Sequence, residues 1–183
     1  MKETSLSTEY EAHNLWLIDE RLAYYSYIAS DEGLDSVGGN RPDLIFLDAP
    51  SAFTDEDTME SISSIVIIEL KRPMRNDYSS QENPIDQMFK YVKQIRSGKA
   101  KLKNGRKINA SRDTRFYLYA ICDITSTLID IMEERDYNEM PDGKGYYGFN
   151  QKLNSYIEVL SFDKIYLDAM KRNKILFRKL GVE

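Results

Sequence analysis

Asp43, Glu69 and Lys71 are the residues whose types and spacing best lend themselves to chemistry. Glu69 and Lys71 close the run "SIVIIELK" (64–71), whose apolar, β-branched residues suit a buried strand. Charges are costly in a sheet interior unless they are paired or bind something. Side chains two apart along a strand point the same way, so Glu69 and Lys71 share a face. Asp43 opens a second apolar run, "DLIFLD" (43–48), directly after Pro42. If the two runs pair as an antiparallel hairpin, the start of one lies beside the end of the other, and Asp43 meets Glu69. Two neighbouring carboxylates repel unless a cation neutralises them. Their oxygens suit Mg²⁺ or Mn²⁺, which takes one or two protein carboxylates and keeps several waters. A metal so held lowers the pKa of a bound water and stabilises charge building on a phosphoryl oxygen. Lys71, a compact cation, is suited to hold the attacking water or the phosphate. The plainer reading of the same residues is a turn cap at Asp43 and a surface ion pair between Glu69 and Lys71.

These residues must be carried by the elements around them. From Thr8 to Ser30 the chain has no Pro or Gly, and Leu15, Ile18, Leu22 and Tyr25 recur at helical spacing, which predicts one long helix. His13 and Glu20 lie together on another side of that helix. The Gly-rich "DEGLDSVGGNRP" then turns into the first strand, and the acidic loop "APSAFTDEDTMESIS" leads to the second. Arg72 to Glu82 is polar, contains Pro73, and leaves the sheet. In "NPIDQMFKYVKQIRSGK" Asn83 is an N-cap, Pro84 the first helical residue and Gly98 the stop. Ile85, Met88, Val92 and Ile95 form its apolar stripe, with Gln87, Tyr91 and Gln94 alongside. A third strand is expected over Arg115–Asp123, a helix over "TSTLIDIMEERDY", a hairpin turning at "KLNS" within "GYYGFNQKLNSYIEVLSF", and a terminal helix from Asp163. The order predicts an α/β fold, a mixed central β-sheet flanked by helices.

Composition narrows the function classes. A chain of 183 residues, 42% hydrophobic and 30% charged, reads as a single domain over 1–183 with an ordinary core. No apolar run approaches the ~20 residues that span a bilayer, so no membrane partner is expected. "MKETSLSTEY" lacks the apolar segment of a secretory signal. The lone Cys122 excludes an internal disulfide framework and a cysteine-based zinc site, which fits a reducing, cytoplasmic setting. Serine–histidine catalysis would rest entirely on His13, the only histidine. The net charge of −5 hides a local asymmetry. Lys90, Lys93, Arg96, Lys99, Lys101, Lys103, Arg106 and Lys107 follow one another with no acidic residue between them. They read either as a solvated face running into a loop or as a phosphate-contacting surface giving salt-dependent, sequence-independent affinity.

"RPD" followed by "IELK" on the next strand resembles the PD…(D/E)xK motif of the restriction-endonuclease-like nuclease superfamily. The resemblance implies a restriction-endonuclease-like fold in which Asp43 and Glu69, with the Leu70 carbonyl, bind Mg²⁺ or Mn²⁺ and Lys71 assists the nucleophilic water. Gln87 to Tyr91 is similar to the QxxxY motif of RecB-type nucleases, which implies that Gln87 orients water or phosphate and that Tyr91 stands with the basic residues at the nucleic acid. Those nucleases carry a histidine or acidic residue on an early helix, a place that falls to His13 or Glu20. More narrowly, "HNLWLIDERLAYYSYIASD", "RPDLIF", "IVIIELKRPMRNDY", "ENPIDQ" and "GYYGFN" together resemble a domain at the C-terminal end of some large bacterial GHKL-type ATP-binding proteins. The implied function is hydrolysis of phosphodiester bonds, in DNA more than RNA, in phage defence or DNA processing, with a GHKL-type ATPase domain as partner in the same polypeptide. The rival expectation is an inactive module that docks nucleic acid or that ATPase and cuts nothing.

Overall fold

The structure, a computed structural model, describes residues 18, 22, 25, 27–30, 41–48, 62–101 and 108–181. Among these residues seven strands form one sheet: β1 (Tyr27–Ser30), β2 (Leu44–Asp48), β3 (Ser64–Leu70), β4 (Arg115–Ile121), β5 (Asn138–Glu139), β6 (Gly145–Asn150) and β7 (Ser155–Leu160). Their order across the sheet is β1-β2-β3-β4-β7-β6-β5. β3, β4 and β7 run parallel at the centre, while β1, β2, β6 and β5 pair antiparallel towards the edges. The expected mixed α/β sheet is therefore present, and the runs 43–48 and 64–70 do form an antiparallel pair.

Among the described residues three helices cover the sheet: α1 (Pro84–Arg96), α2 (Ser126–Glu133) and α3 (Phe162–Leu180). α1 and α2 pack on the face that carries Ile45, Ile65, Ile67 and Leu118. α3, with Ile18, Leu22 and Tyr25, covers the opposite face, on Phe46, Val66, Ile68 and Tyr119. A parallel strand covered on both sides needs apolar residues at every position rather than alternating ones, which is why β3 reads as a continuous run. Its five central residues through Glu69 are buried.

α1 begins where the sequence predicts. The Asn83 side chain accepts the Asp86 amide at 2.9 Å, a cap that stabilises a helix by about 1 kcal/mol. Pro84 follows as the first residue, and Gly98, at φ +68°, ends the turn beyond the last. The hairpin between β6 and β7 also falls at "KLNS", through a 3-10 turn at Gln151–Leu153 and a left-handed Asn154.

The expected helix over 8–30 needs correction at its end. Tyr27–Ser30 is strand β1, paired with Leu44–Leu47. Tyr and Ile are good strand residues, and the open edge of β2 supplies a ladder that a helix there would forgo. Apart from Ile18, Leu22 and Tyr25, the rest of that segment lies outside the described residues, as do the acidic loop over 54–60 and Lys103, Arg106 and Lys107.

Candidate functional site

The parallel strands set the place of the site. Glu69 stands one residue from the end of β3, on the face of Ile65 and Ile67 that meets α1. Leu44 pairs with Ile68, so Asp43 enters β2 one step further along, beside Glu69. The Asp43 carboxylate accepts the Leu70 amide at 2.6 Å, which locks the start of one strand to the end of the other. Lys71 donates its own amide to the Ile121 carbonyl at the end of β4, continuing the ladder past β3. Its side chain therefore stays on the Glu69 face, and Lys71 Nζ lies 2.6 Å from Glu69 Oε1.

α1 closes the cluster from above. Gln87 and Tyr91 are four residues apart, hence neighbours on one helical face. Gln87 Oε1 accepts from Lys71 Nζ at 2.6 Å, and Gln87 Nε2 donates to Glu69 Oε1 at 2.7 Å and to the Tyr91 hydroxyl at 2.5 Å. The Tyr91 hydroxyl lies 3.0 Å from the Arg41 carbonyl and 3.2 Å from Glu69 Oε2, with both oxygens as acceptors for its one proton. Glu69 thus has a strongly bonded oxygen, Oε1, and a weakly bonded one, Oε2.

Burial dominates the electrostatics. Glu69 is 4% exposed, and its carboxyl is raised above the ordinary carboxylate range because desolvation outweighs the hydrogen bond and charge of Lys71; the Asp43 charge pushes the same way. The Tyr91 phenol is raised as well, first by burial, with the Glu69 charge adding to it. Formally, two carboxylates and one ammonium leave the cluster at one negative charge, which a cation would offset.

Among the described residues no three His, Cys, Asp or Glu side chains gather to hold a metal. Two carboxylates do meet, and their hard oxygens suit Mg²⁺ or Mn²⁺, which fills its remaining positions with water. Asp43 uses Oδ2 for Leu70, and Glu69 Oε2 keeps only its long contact with Tyr91. The donor set therefore fits such an ion, with the Leu70 carbonyl as a further oxygen at the same strand end. Glu20 and His13, expected to complete the site, lie outside the described residues.

The basic residues divide. Lys90, Lys93, Lys99 and Lys101 are exposed, and none forms a salt bridge among the described residues. Arg96 is only partly exposed. Its guanidinium turns inward, over the Phe116 ring, and donates to the carbonyls of Ser111, Arg112, Thr114 and Leu153. Burial lowers its pKa. Tyr91 is fully buried, and its hydroxyl faces Glu69. One contact was not foreseen from the sequence: Asp123, just beyond β4, accepts the Met74 amide at 2.6 Å.

No protein-family model, curated protein or solved structure matches the chain.

Proposed function

We propose that the chain is a metal-dependent nuclease of the restriction-endonuclease-like type, hydrolysing phosphodiester bonds in DNA with Mg²⁺ or Mn²⁺. The observation that carries the reading is the convergence of Asp43, Glu69 and Lys71 on one end of the sheet, with Gln87 bonded to both members of the ion pair. A surface ion pair would not require this much burial, because exposed pairs form without losing hydration.

Asp43 and Glu69 would hold the ion through their less committed oxygens, and the Leu70 carbonyl would stand beside them. The bound ion supplies Lewis acidity and a water of lowered pKa. Lys71 Nζ, held between Glu69 and Gln87, keeps a positive charge where a phosphate oxygen or the attacking water arrives. Gln87 fixes that ammonium through its amide oxygen and holds Glu69 through its amide nitrogen. Tyr91 stiffens Gln87 and Glu69 from beneath. Lys90, Lys93, Lys99 and Lys101 offer phosphate contacts that carry affinity but no sequence information. In open α/β sheets ligands bind outside the carboxyl ends of the strands, and this cluster stands at that end of β3 and β4.

The test is cleavage of linear, circular and single-stranded DNA with Mg²⁺, Mn²⁺ or chelator, by the native chain and by Glu69→Ala and Lys71→Ala. Cutting that requires metal and disappears in both variants is the expected result. Cutting that persists in both variants would remove the site from the reaction. DNA binding without cutting under any metal would leave a docking module instead.

A further inference from the structure

The segment that leaves β3 carries a backbone outlier. Met74 adopts φ +58°, a left-handed conformation that side chains bearing a Cβ disfavour. The other two non-glycine residues of this kind among the described residues are Asp136 and Asn154, types that tolerate it well. A turn with Pro at its second position and positive φ at its third favours Gly there, yet this chain has Pro73 and then Met74. The side chain is also 79% exposed, more than any other large apolar residue described. Packing therefore does not account for a methionine in this conformation.

The turn is nevertheless firmly held. The Met74 amide is bonded to the Asp123 carboxylate at 2.6 Å, and the Thr125 hydroxyl donates to the Arg75 carbonyl at 3.2 Å. Asn76 Oδ1 accepts from both the amide and the hydroxyl of Thr127. Arg75 is occupied by Asp77 and by the Tyr78 ring. Arg72, by contrast, keeps a largely exposed guanidinium whose one salt bridge among the described residues is a 4.0 Å approach to Asp77. These ties fix the tip at the carboxyl ends of β3 and β4, three residues past Lys71. Strained backbone persists where surrounding structure enforces it, and an observed outlier of this kind is grounds for a functional hypothesis.

We propose that Met74 is a DNA-contacting wedge, its thioether side chain pressed against base faces while Arg72 meets the adjoining phosphate. This rests on the nuclease reading above and adds to it a residue that engages the substrate without taking part in the chemistry. Apolar wedges, methionine among them, are inserted between base steps by proteins that bend or unstack nucleic acid. A flexible, polarizable side chain suits a contact made to any base.

The contact is tested by fluorescence anisotropy of labelled mixed-sequence DNA, duplex and single-stranded, in chelator so that nothing is cut. Met74→Gly and Met74→Gln are expected to weaken binding of at least one form about tenfold, and Met74→Leu to retain it. The melting temperature of Met74→Gly should hold or rise, because Gly relieves the left-handed conformation. Lost affinity with undiminished stability is a result that a purely structural role cannot produce. If cleavage depends on Glu69 and Lys71 but the Gly and Gln variants bind like the native chain, the wedge is overturned and the nuclease reading stands. If the native chain binds but never cuts, while the same variants bind weakly, the nuclease reading falls and the contact stands. A native chain that binds neither form of DNA overturns both.

Discussion

Two lysine–carboxylate pairs in this molecule have the same separation and opposite electrostatics. Lys71 lies 2.6 Å from Glu69, and Lys164 on α3 lies 2.6 Å from Asp142 in the turn between β5 and β6. The Asp142 carboxyl is held below its ordinary range, chiefly by the hydrogen bond from Lys164. The Glu69 carboxyl is raised instead, because desolvation exceeds what Lys71 returns. The side chains of the first pair are 10% and 5% exposed, those of the second 16% and 39%. Distance therefore does not separate a fastening from a candidate site. What separates them is whether the carboxylate has been taken out of water, and whether further polar groups have been gathered around it.

The largest effects should follow from breaking the buried pair. Glu69→Ala and Lys71→Ala are each expected to lower DNA cleavage by about 10²–10⁴-fold, the range for a group that positions charge or a proton at the reacting atoms. Each should also cost about 3 kcal/mol of stability in urea unfolding, since removing one member leaves the other buried without its ionic partner. Cleavage lost together with the fold would prove little, so Lys71→Met, which keeps the stem and its packing, is the sharper variant. Native-like cleavage by a folded Lys71→Met protein would return this pair to the same class as Lys164–Asp142.

Next comes the group that makes the first pair different. Among the described residues Gln87 has no counterpart at Lys164, whose second partner is another carboxylate, Asp168 at 3.1 Å. Gln87→Ala should cost about 10–100-fold in metal affinity or activity, as expected for a residue that orients a ligand without binding the ion itself. Isothermal titration with Mn²⁺ measures the affinity directly. Unchanged titration and unchanged cleavage together would mean that the helix only covers the cluster.

Much of this arrangement was legible because its parts are local. The alternation of a strand puts Glu69 and Lys71 on one face, the helical spacing of Gln87 and Tyr91 puts them on another, and Asn83, Pro84 and Gly98 bracket the helix that brings the two together. The pairing of β2 with β3 followed from two apolar runs in sequence. What stayed hidden depends on distant partners or on backbone geometry. Tyr27–Ser30 has a helical pattern on its N-terminal side, and only the free edge of β2 draws it into the sheet. Arg96 has the spacing of a surface cation, but four carbonyls from the segment before β4 and from the β6–β7 turn capture it. The hydroxyl of Tyr91 finds its acceptors in Arg41 and Glu69, both distant in sequence. No pattern of residue types announces that Met74 will be left-handed.

A third prediction uses the opposing pKa shifts. On the proposed reading, metal would compete with a proton for Glu69, and a raised pKa means that protonation begins at a higher pH than for a free carboxyl, whose reference is about 4.3. Metal-supported cleavage should therefore be complete well above the raised value and fall as pH drops through it, before ordinary carboxylates titrate. Raising the metal concentration should shift that fall to lower pH. A fall that does not move with metal would point to a group other than Glu69.

The smallest effect belongs to the second pair. Asp142→Asn removes one charge from a partly exposed clasp between the β5–β6 turn and α3, where solvent screening limits the contribution to less than about 1 kcal/mol. The sign is fixed by the depressed pKa of Asp142. Its contribution is present above the unfolded value, near 3.9, and is lost as pH falls through the lower folded one. Native and Asp142→Asn proteins should thus differ slightly in urea at neutral pH, lose that difference in acid, and cut DNA equally well throughout. A change in cleavage here would mean that α3 and the hairpin edge take part in substrate binding, and burial would no longer be enough to tell the two pairs apart.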